Sequence, residues 1–224
     1  MIKNFLFDLD NTIYPSSSKI NEGIDHRMVE AVSEFLQVDM NTAAILRHEK
    51  KKNYSSTLEW LMKEQNFTDV DWYLQKVHPE DELNELSPVS GLKDFFEGLK
   101  SSGYRMAILT NGPAFHASRV LDFYGIFSYF DGIHDIVENG MQGKPYANSY
   151  FNAMKKENFE LCNTLFIDDY LKYVYGYMDL GGTAVLIDAD GSYTQKANFS
   201  KYLKLYCLHS IFELPSLCED IEQK

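Results

Sequence analysis

The sequence predicts an α/β protein: a doubly wound, mainly parallel sheet with an all-helical segment inserted after the first strand. Three observations predict it. Short apolar runs of the buried-strand kind recur at 4–9, 105–110, 132–137, 164–168, 183–187 and 203–208. Stretches with helical periodicity separate the later runs, and strands that alternate with helices imply right-handed crossovers and helices on both faces of the sheet. The segment 16–87 breaks this alternation, because it holds helical patterns and no convincing strand.

Taken in order, the first run gathers Phe5, Leu6 and Phe7 and then places carboxylates at Asp8 and Asp10. Within 16–87, Ile24, Met28, Ala31, Val32, Phe35 and Leu36 form one apolar stripe, and Leu58, Leu61 and Met62 belong to another. This segment is expected to be a helical cap over a core made of 1–15 and 88–224. The stretch 91–102 spaces Leu92, Phe95, Phe96 and Leu99 by three and four, with Gly103 as a stop signal. Further helices are expected at 114–124, 146–158 and 170–180. The tail 210–224 reads as a short closing helix, with Ser210 and Glu213 as a capping box.

At 224 residues and 45% hydrophobic, the chain can bury a substantial core. Its formal charge of −12 argues against non-specific binding to nucleic acid or to an anionic membrane. Any anionic substrate must then be captured locally. Cys162, Cys207 and Cys218 show no metal spacing, and their odd number makes a poor disulfide framework, so a reducing cytoplasm is expected. No apolar stretch approaches the roughly 18 to 20 residues that span a bilayer, and acids interrupt the N-terminus where a signal peptide would continue.

In open α/β sheets, ligands bind outside the carboxyl ends of the strands, where the winding reverses. Asp8 with Asp10, Thr110 with Asn111, and Asp168 with Asp169 all fall at such ends. Isolated carboxylates at a strand tip are costly to desolvate, so a cation is expected beside them. Two acids from each of two strand ends can hold Mg²⁺, although Asp168 and Asp169 can equally cap the next helix. The Thr110-Asn111-Gly112 turn offers a hydroxyl and N–H groups to phosphate oxygens, or is an ordinary turn. Lys144 precedes Pro145, which is expected to open a helix and mount the lysine rigidly; the alternative is a solvated surface charge.

In this order, Asp8-Leu9-Asp10-Asn11-Thr12, Thr110-Asn111, Lys144-Pro145 and Asp168-Asp169 resemble the four motifs of the haloacid dehalogenase-like (HAD) superfamily: DxDx followed by Thr or Val, a strand-ending Ser or Thr, a Lys, and an acidic pair. The resemblance covers nearly the whole chain, helical cap included, and implies a Rossmann-like core. It implies that Asp8 attacks phosphorus and becomes an aspartyl phosphate, while Asp10 protonates the leaving alkoxide and later deprotonates water. It implies Mg²⁺ held by Asp8, the backbone carbonyl of Asp10, Asp168 and Asp169. Thr110 and Lys144 would hold the phosphoryl oxygens, with Thr12, Asn111 and Gly112 as further phosphate-binding positions. The acid at Asp10 favours phosphoryl transfer over dehalogenation, which needs no leaving-group proton. One departure stands out: relatives often continue the acidic pair as DDSxxN, whereas Tyr170 and Tyr173 occupy those places here. Since neighbours of metal ligands tune affinity, both tyrosines bear on turnover.

The implied reaction is Mg²⁺-dependent hydrolysis of a small phosphorylated metabolite. The stretch Asn11-Thr12-Ile13-Tyr14-Pro15 resembles the pyrimidine 5'-nucleotidase group, which suggests a nucleoside 5'-monophosphate. A phosphosugar mutase of the same superfamily and a binding module with weak turnover remain alternatives. In the cap, Lys50 and Lys51 are expected to be solvated charges at a helix end, with Arg47 and Tyr54 left open as substrate contacts. The six histidines form no convincing metal pair, and His116, near the phosphate loop, is expected on a helix surface.

Overall fold

Six strands form one sheet in the computed structural model, which describes residues 1–193 and 204–222. They are β1 (Asn4–Phe7), β2 (Arg105–Leu109), β3 (Ile133–His134), β4 (Thr164–Asp168), β5 (Thr183–Ile187) and β6 (Leu205–Leu208). Their order is β3-β2-β1-β4-β5-β6, and every neighbouring pair is parallel. The chain winds from β1 outward through β2 and β3, then returns across β1 to wind the other way through β4. This reversal leaves β1 between β2 and β4, with Phe7 opposite both Ile108 and Ile167. The carboxyl ends of three strands therefore meet at one place.

Side chains alternate between the two faces, as a pleated strand requires. Phe5, Phe7, Met106, Ile108, Leu165 and Ile167 pack on one side, with residues of α5 (Leu92–Ser101), α6 (Ala114–Phe123) and α9 (Leu214–Glu222). Leu6, Ala107, Leu109 and Phe166 pack on the other, with α7 (Ala147–Glu157) and α8 (Leu171–Met178). Burial on both faces explains why these strands read as continuous apolar runs rather than alternating ones.

Several strands are shorter than the sequence suggests. The Asp8 N–H still bonds Ile167 O (2.8 Å), but the chain then turns, with Thr12 and Ile13 N–H both returning to Leu9 O and Asn11 in the left-handed region at φ 63°. β3 keeps two residues of an expected six. Its continuation is diverted because the Asp135 carboxylate accepts the N–H groups of Ala114 and Glu138, both at 2.8 Å. Residue 203, where the last strand is expected to begin, lies outside the described residues, as do the expected helix residues 223–224.

Between β1 and α5 lie α1 (Lys19–Leu36), α2 (Met40–Lys50), α3 (Thr57–Gln65), α4 (Val70–Val77) and a 3-10 turn (Glu80–Glu85). Caps set their limits: Asp39, Ser56 and Asp69 accept N–H groups from Thr42, Glu59 and Trp72, while Gln37 and Asn66 close α1 and α3 in left-handed geometry. Ile24, Ala31 and Val32 of the expected stripe are buried, with Met28, Phe35 and Leu36 packed beside them. The far end of this segment is pinned to its surroundings: Arg27 Nε donates to Val77 O at 2.8 Å, and Arg119 of α6 donates to the carbonyls of His78 and Pro79. At the C-terminal end, the Ser210–Glu213 capping box forms on a 3-10 turn, and α9 begins one residue later. Among the described residues, no helix is long and apolar enough to cross a membrane.

Phe96 is fully buried against Phe7 and Phe130, whereas Phe123 is 42% exposed. Urea unfolding is expected to show Phe96→Ala destabilised by about 3–5 kcal/mol, and Phe123→Ala by less than about 1 kcal/mol.

Candidate active site

The winding reversal brings Asp8, Thr110 and Asp168 to adjacent strand ends. Lys144 enters from the loop before α7 and is fully buried, which excludes the solvated-charge alternative. Its ammonium donates to Asp8 Oδ1 at 2.5 Å and to Asp168 Oδ2 at 2.6 Å, with the rings of Tyr173 and Phe166 at 5.1 and 5.5 Å. The mount differs from the proline-led helix expected. α7 begins at Ala147 with Tyr146 as N-cap, so Pro145 precedes the helix. The lysine is held instead by Asn111, whose Oδ1 accepts Lys144 N–H at 2.7 Å and whose Nδ2 donates to Lys144 O at 2.9 Å. Asn111 packs so closely that a side chain on Gly143 would begin 2.1 Å from its Oδ1.

Thr12 and Gly112 orient their neighbours: the Thr12 hydroxyl donates to Asp8 Oδ2 at 3.2 Å, and Gly112 N–H donates to Thr110 Oγ1 at 2.9 Å. Asp168 also accepts the Tyr170 N–H at 2.8 Å, so it does part of a capping carboxylate's work at the start of α8 while binding Lys144. Asp8, Asp168 and Asp169 offer carboxylate oxygens within 4.8 Å of one another. One ammonium faces three buried or half-buried acids. Burial pushes the Asp169 carboxyl up to about 9, reinforced by Asp168 and Asp8, and burial outweighs Lys144 to raise Asp8 to about 7. Three hard oxygen donors short of positive charge fit a Mg²⁺ ion.

Asp10 sits in a second buried set. Its Oδ1 accepts from the Tyr14 hydroxyl and lies 3.0 Å from His116 Nε2. His116 is fully buried, not on the helix surface expected for it. Its Nδ1 lies 2.8 Å from Glu82 Oε1, and the other oxygen of Glu82 lies 3.1 Å from His78 Nδ1. The histidines are also less scattered than the expectation of no convincing metal pair implies, since His78, Glu82 and His116 bring possible ligand atoms within 4.8 Å of one another. The inward face of α6 carries His116 because Ala117, Val120 and Leu121 on the same side reach the core. Burial opposes charge on the ring, but carboxylates on both sides lift His116 to about 9. Burial likewise opposes the charges of Asp10 and Glu82, yet the histidines hold each near 2.

These residues border a cavity of about 350 Å³ between the sheet ends and the inserted helices. Asp8, Asp10, Thr110 and Asp169 line it from below; Met28, Arg47 and Tyr54 line it from the inserted segment. Arg47 is itself held by Asp25 (2.7 Å) and Thr57 (3.0 Å). Lys50 pairs with Glu64, and Lys51 lies 5.6 Å from the Tyr170 ring at the cavity. Tyr173 donates to Ser55 O at 3.2 Å.

The model of the haloacid dehalogenase-like hydrolases matches residues 2–172. Phosphate metabolism protein 8 of Saccharomyces cerevisiae is 26% identical, over 98% of this chain and 73% of that protein. The glyceraldehyde 3-phosphate phosphatase of Methanocaldococcus jannaschii is 23% identical over the full length of both. In fold, the chain is similar to a HAD phosphatase from Thermococcus onnurineus, with a TM-score of 0.67 and 20% identity over 97% of this chain and 98% of the other.

The buried Glu82 gives a pH-dependent prediction. Because its folded-state carboxyl titrates near 2 rather than at its ordinary 4.5, its stabilisation is fully present above pH 4.5 and is lost as pH falls toward 2. Denaturant unfolding of wild type and Glu82→Gln is expected to show a wild-type advantage on the order of 3 kcal/mol near neutral pH. That advantage should shrink steadily below pH about 4.5.

Proposed function

Because the chain belongs to the haloacid dehalogenase-like hydrolase family, we propose that it hydrolyses phosphate monoesters of small metabolites, with Asp8 as nucleophile. The observation that carries this reading is the placement of Asp8 at the cavity floor, one oxygen on Lys144 and the other on Thr12, beside Asp168 and Asp169. Relatives named as phosphatases support it. The division into a catalytic core (1–15 and 88–224) and a helical cap (16–87) belongs to the same proposal, as does a cytoplasmic setting.

Asp8 presents a carboxylate oxygen to the phosphorus of the bound ester, and the ester oxygen departs as the aspartyl phosphate forms. Thr12 and Lys144 hold the carboxylate in place, one on each oxygen, at the edge of the cavity. Asp10 delivers the proton to the departing alkoxide and then takes one from the water that cleaves the aspartyl phosphate. Thr110 and Lys144 receive phosphoryl oxygens as charge builds on them. The residues that would hold Mg²⁺ are Asp8, Asp168 and Asp169 by their carboxylates and Asp10 by its backbone carbonyl. When bound, the ion supplies positive charge that lets these acids and the phosphoryl group share one site.

The cap lining sets the leaving group, with Arg47 and Tyr54 at the cavity wall. Glyceraldehyde 3-phosphate and nucleoside 5'-monophosphates are the first esters to assay. Tyr173 stands where relatives carry Asn or Asp and places an aromatic ring on Lys144, so the ammonium is walled by rings rather than by a further acid.

Phosphate release with Mg²⁺ present is expected to fall on the order of a thousandfold or more in Asp8→Asn, with folding preserved by circular dichroism. An undiminished rate would exclude Asp8 as nucleophile, and isomerisation of a hexose phosphate without phosphate release would mark a mutase instead. EDTA should abolish turnover and Mg²⁺ restore it. Lys144→Met leaves Asp8 and Asp168 without their counter-charge and is expected to cost about 3–5 kcal/mol of stability in denaturant unfolding.

A further inference from the structure

We propose that His116 is a positioning residue for Asp10, and that Glu82 and His78 tie it to the turn closing the inserted segment, so that the proton-transferring carboxylate is aimed from there. The inference rests on the phosphatase reading for the role of Asp10, but its geometric content does not.

Asp10 needs holding. It lies past the end of β1, its side chain is 27% exposed, and Asn11 beside it bends into the left-handed region. An acid with this freedom could rotate toward solvent instead of the cavity. Both observed restraints fall on one oxygen: Tyr14 and His116 converge on Oδ1. The other oxygen, Oδ2, lies on the side of the Thr110–Gly112 turn, 3.9 Å from where a side chain on Gly112 would begin. Oδ2 is thus the oxygen presented where the phosphate oxygens are proposed to sit, while Oδ1 serves as the anchor.

The anchor is itself rigid. The His116 ring is fully buried between two carboxylates, so both of its nitrogens face acceptors and its plane is determined from both ends. Glu82, at the far end, is shared with His78, whose ring stands 4.3 Å from that of His116. Arg119 reaches Glu82 (3.5 Å) and the carbonyls of His78 and Pro79. Glu82 belongs to the 3-10 turn Glu80–Glu85, which returns the chain from the inserted helices to the sheet. The chain of contacts runs unbroken from that turn through the two buried rings to an acid that lines the cavity.

The test compares His116→Asn with His116→Gln, because the shorter amide can reach only the Glu82 side and the longer one can replace Nε2 toward Asp10. With Mg²⁺ supplied, His116→Asn is expected to lower kcat at least about tenfold on the best alkyl phosphate found for the wild type. KM should stay within about threefold, and the single-turnover burst of p-nitrophenol from p-nitrophenyl phosphate, which reports only the first half-reaction and whose leaving group needs no proton, should slow far less than the single-turnover release of the alkyl alcohol. His116→Gln should recover most of the alkyl rate. Crystal structures of the two variants supply a second readout: the Asp10 carboxylate should leave its position in His116→Asn and keep it in His116→Gln. Equal slowing of the single-turnover release of both leaving groups, an unchanged kcat in His116→Asn, or an unmoved Asp10 carboxylate in that variant would overturn the proposal. A wild type that releases phosphate from no ester defeats the phosphatase reading instead, and the two structures still decide the positioning.

Discussion

The site depends on one buried contact, the ammonium of Lys144 between Asp8 and Asp168. Three strand ends of a parallel sheet converge where the winding reverses, and the sequence loads two of them with acids. Without positive charge there, desolvation and mutual repulsion would drive the carboxylates apart or into their neutral forms. Lys144 permits the cluster to exist. It does not neutralise it, because Asp169 remains an additional acid within reach of the other two. Three converging carboxyl groups facing one ammonium suit the place to a divalent cation, and a protein of net charge −12 needs such local positive charge to receive any anion.

The precision of Lys144 comes from elsewhere. Its backbone is gripped on both sides by Asn111, the residue after Thr110, so the strand end that offers the threonine also locates the lysine. Gly143 allows that approach by lacking a side chain. Two of the four motifs are thereby fixed relative to each other through a side-chain amide 33 residues away from its partner.

What could be read from the sequence were the features with local signatures. β1, β2 and β4 appear as unbroken apolar runs because both faces are covered, and each run stops at a polar residue that the sheet delivers to the same edge. The stripe in α1 and the Ser210–Glu213 box follow short-range periodicities. The Asp10 network was invisible for the opposite reason. His116 meets Glu82 34 residues away and Asp10 106 residues away, and nothing near it in the chain announces either contact. Two local hints exist in retrospect, the spacing of four between Asp10 and Tyr14 and between His78 and Glu82, each of which places the pair within side-chain reach across a turn. The brevity of β3 was equally hidden, because it results from Asp135 turning to bind the first N–H of α6 as well as the Glu138 N–H in its own turn.

The carbonyl of Ser55 receives two donors from the sheet side, the Tyr173 hydroxyl and the Asn111 amide, while Lys172 donates to the neighbouring carbonyl of Tyr54. Asn111 follows β2, the other two stand in the first turn of α8, and all three line the cavity. A roof fastened by the same residues that grip the floor cannot lift independently of it. Swinging α2 and α3 outward would hand these donors to water, and one of the released groups, the Asn111 amide, is the same group that clasps the Lys144 backbone, so the roof and the buried ammonium share a hinge pin.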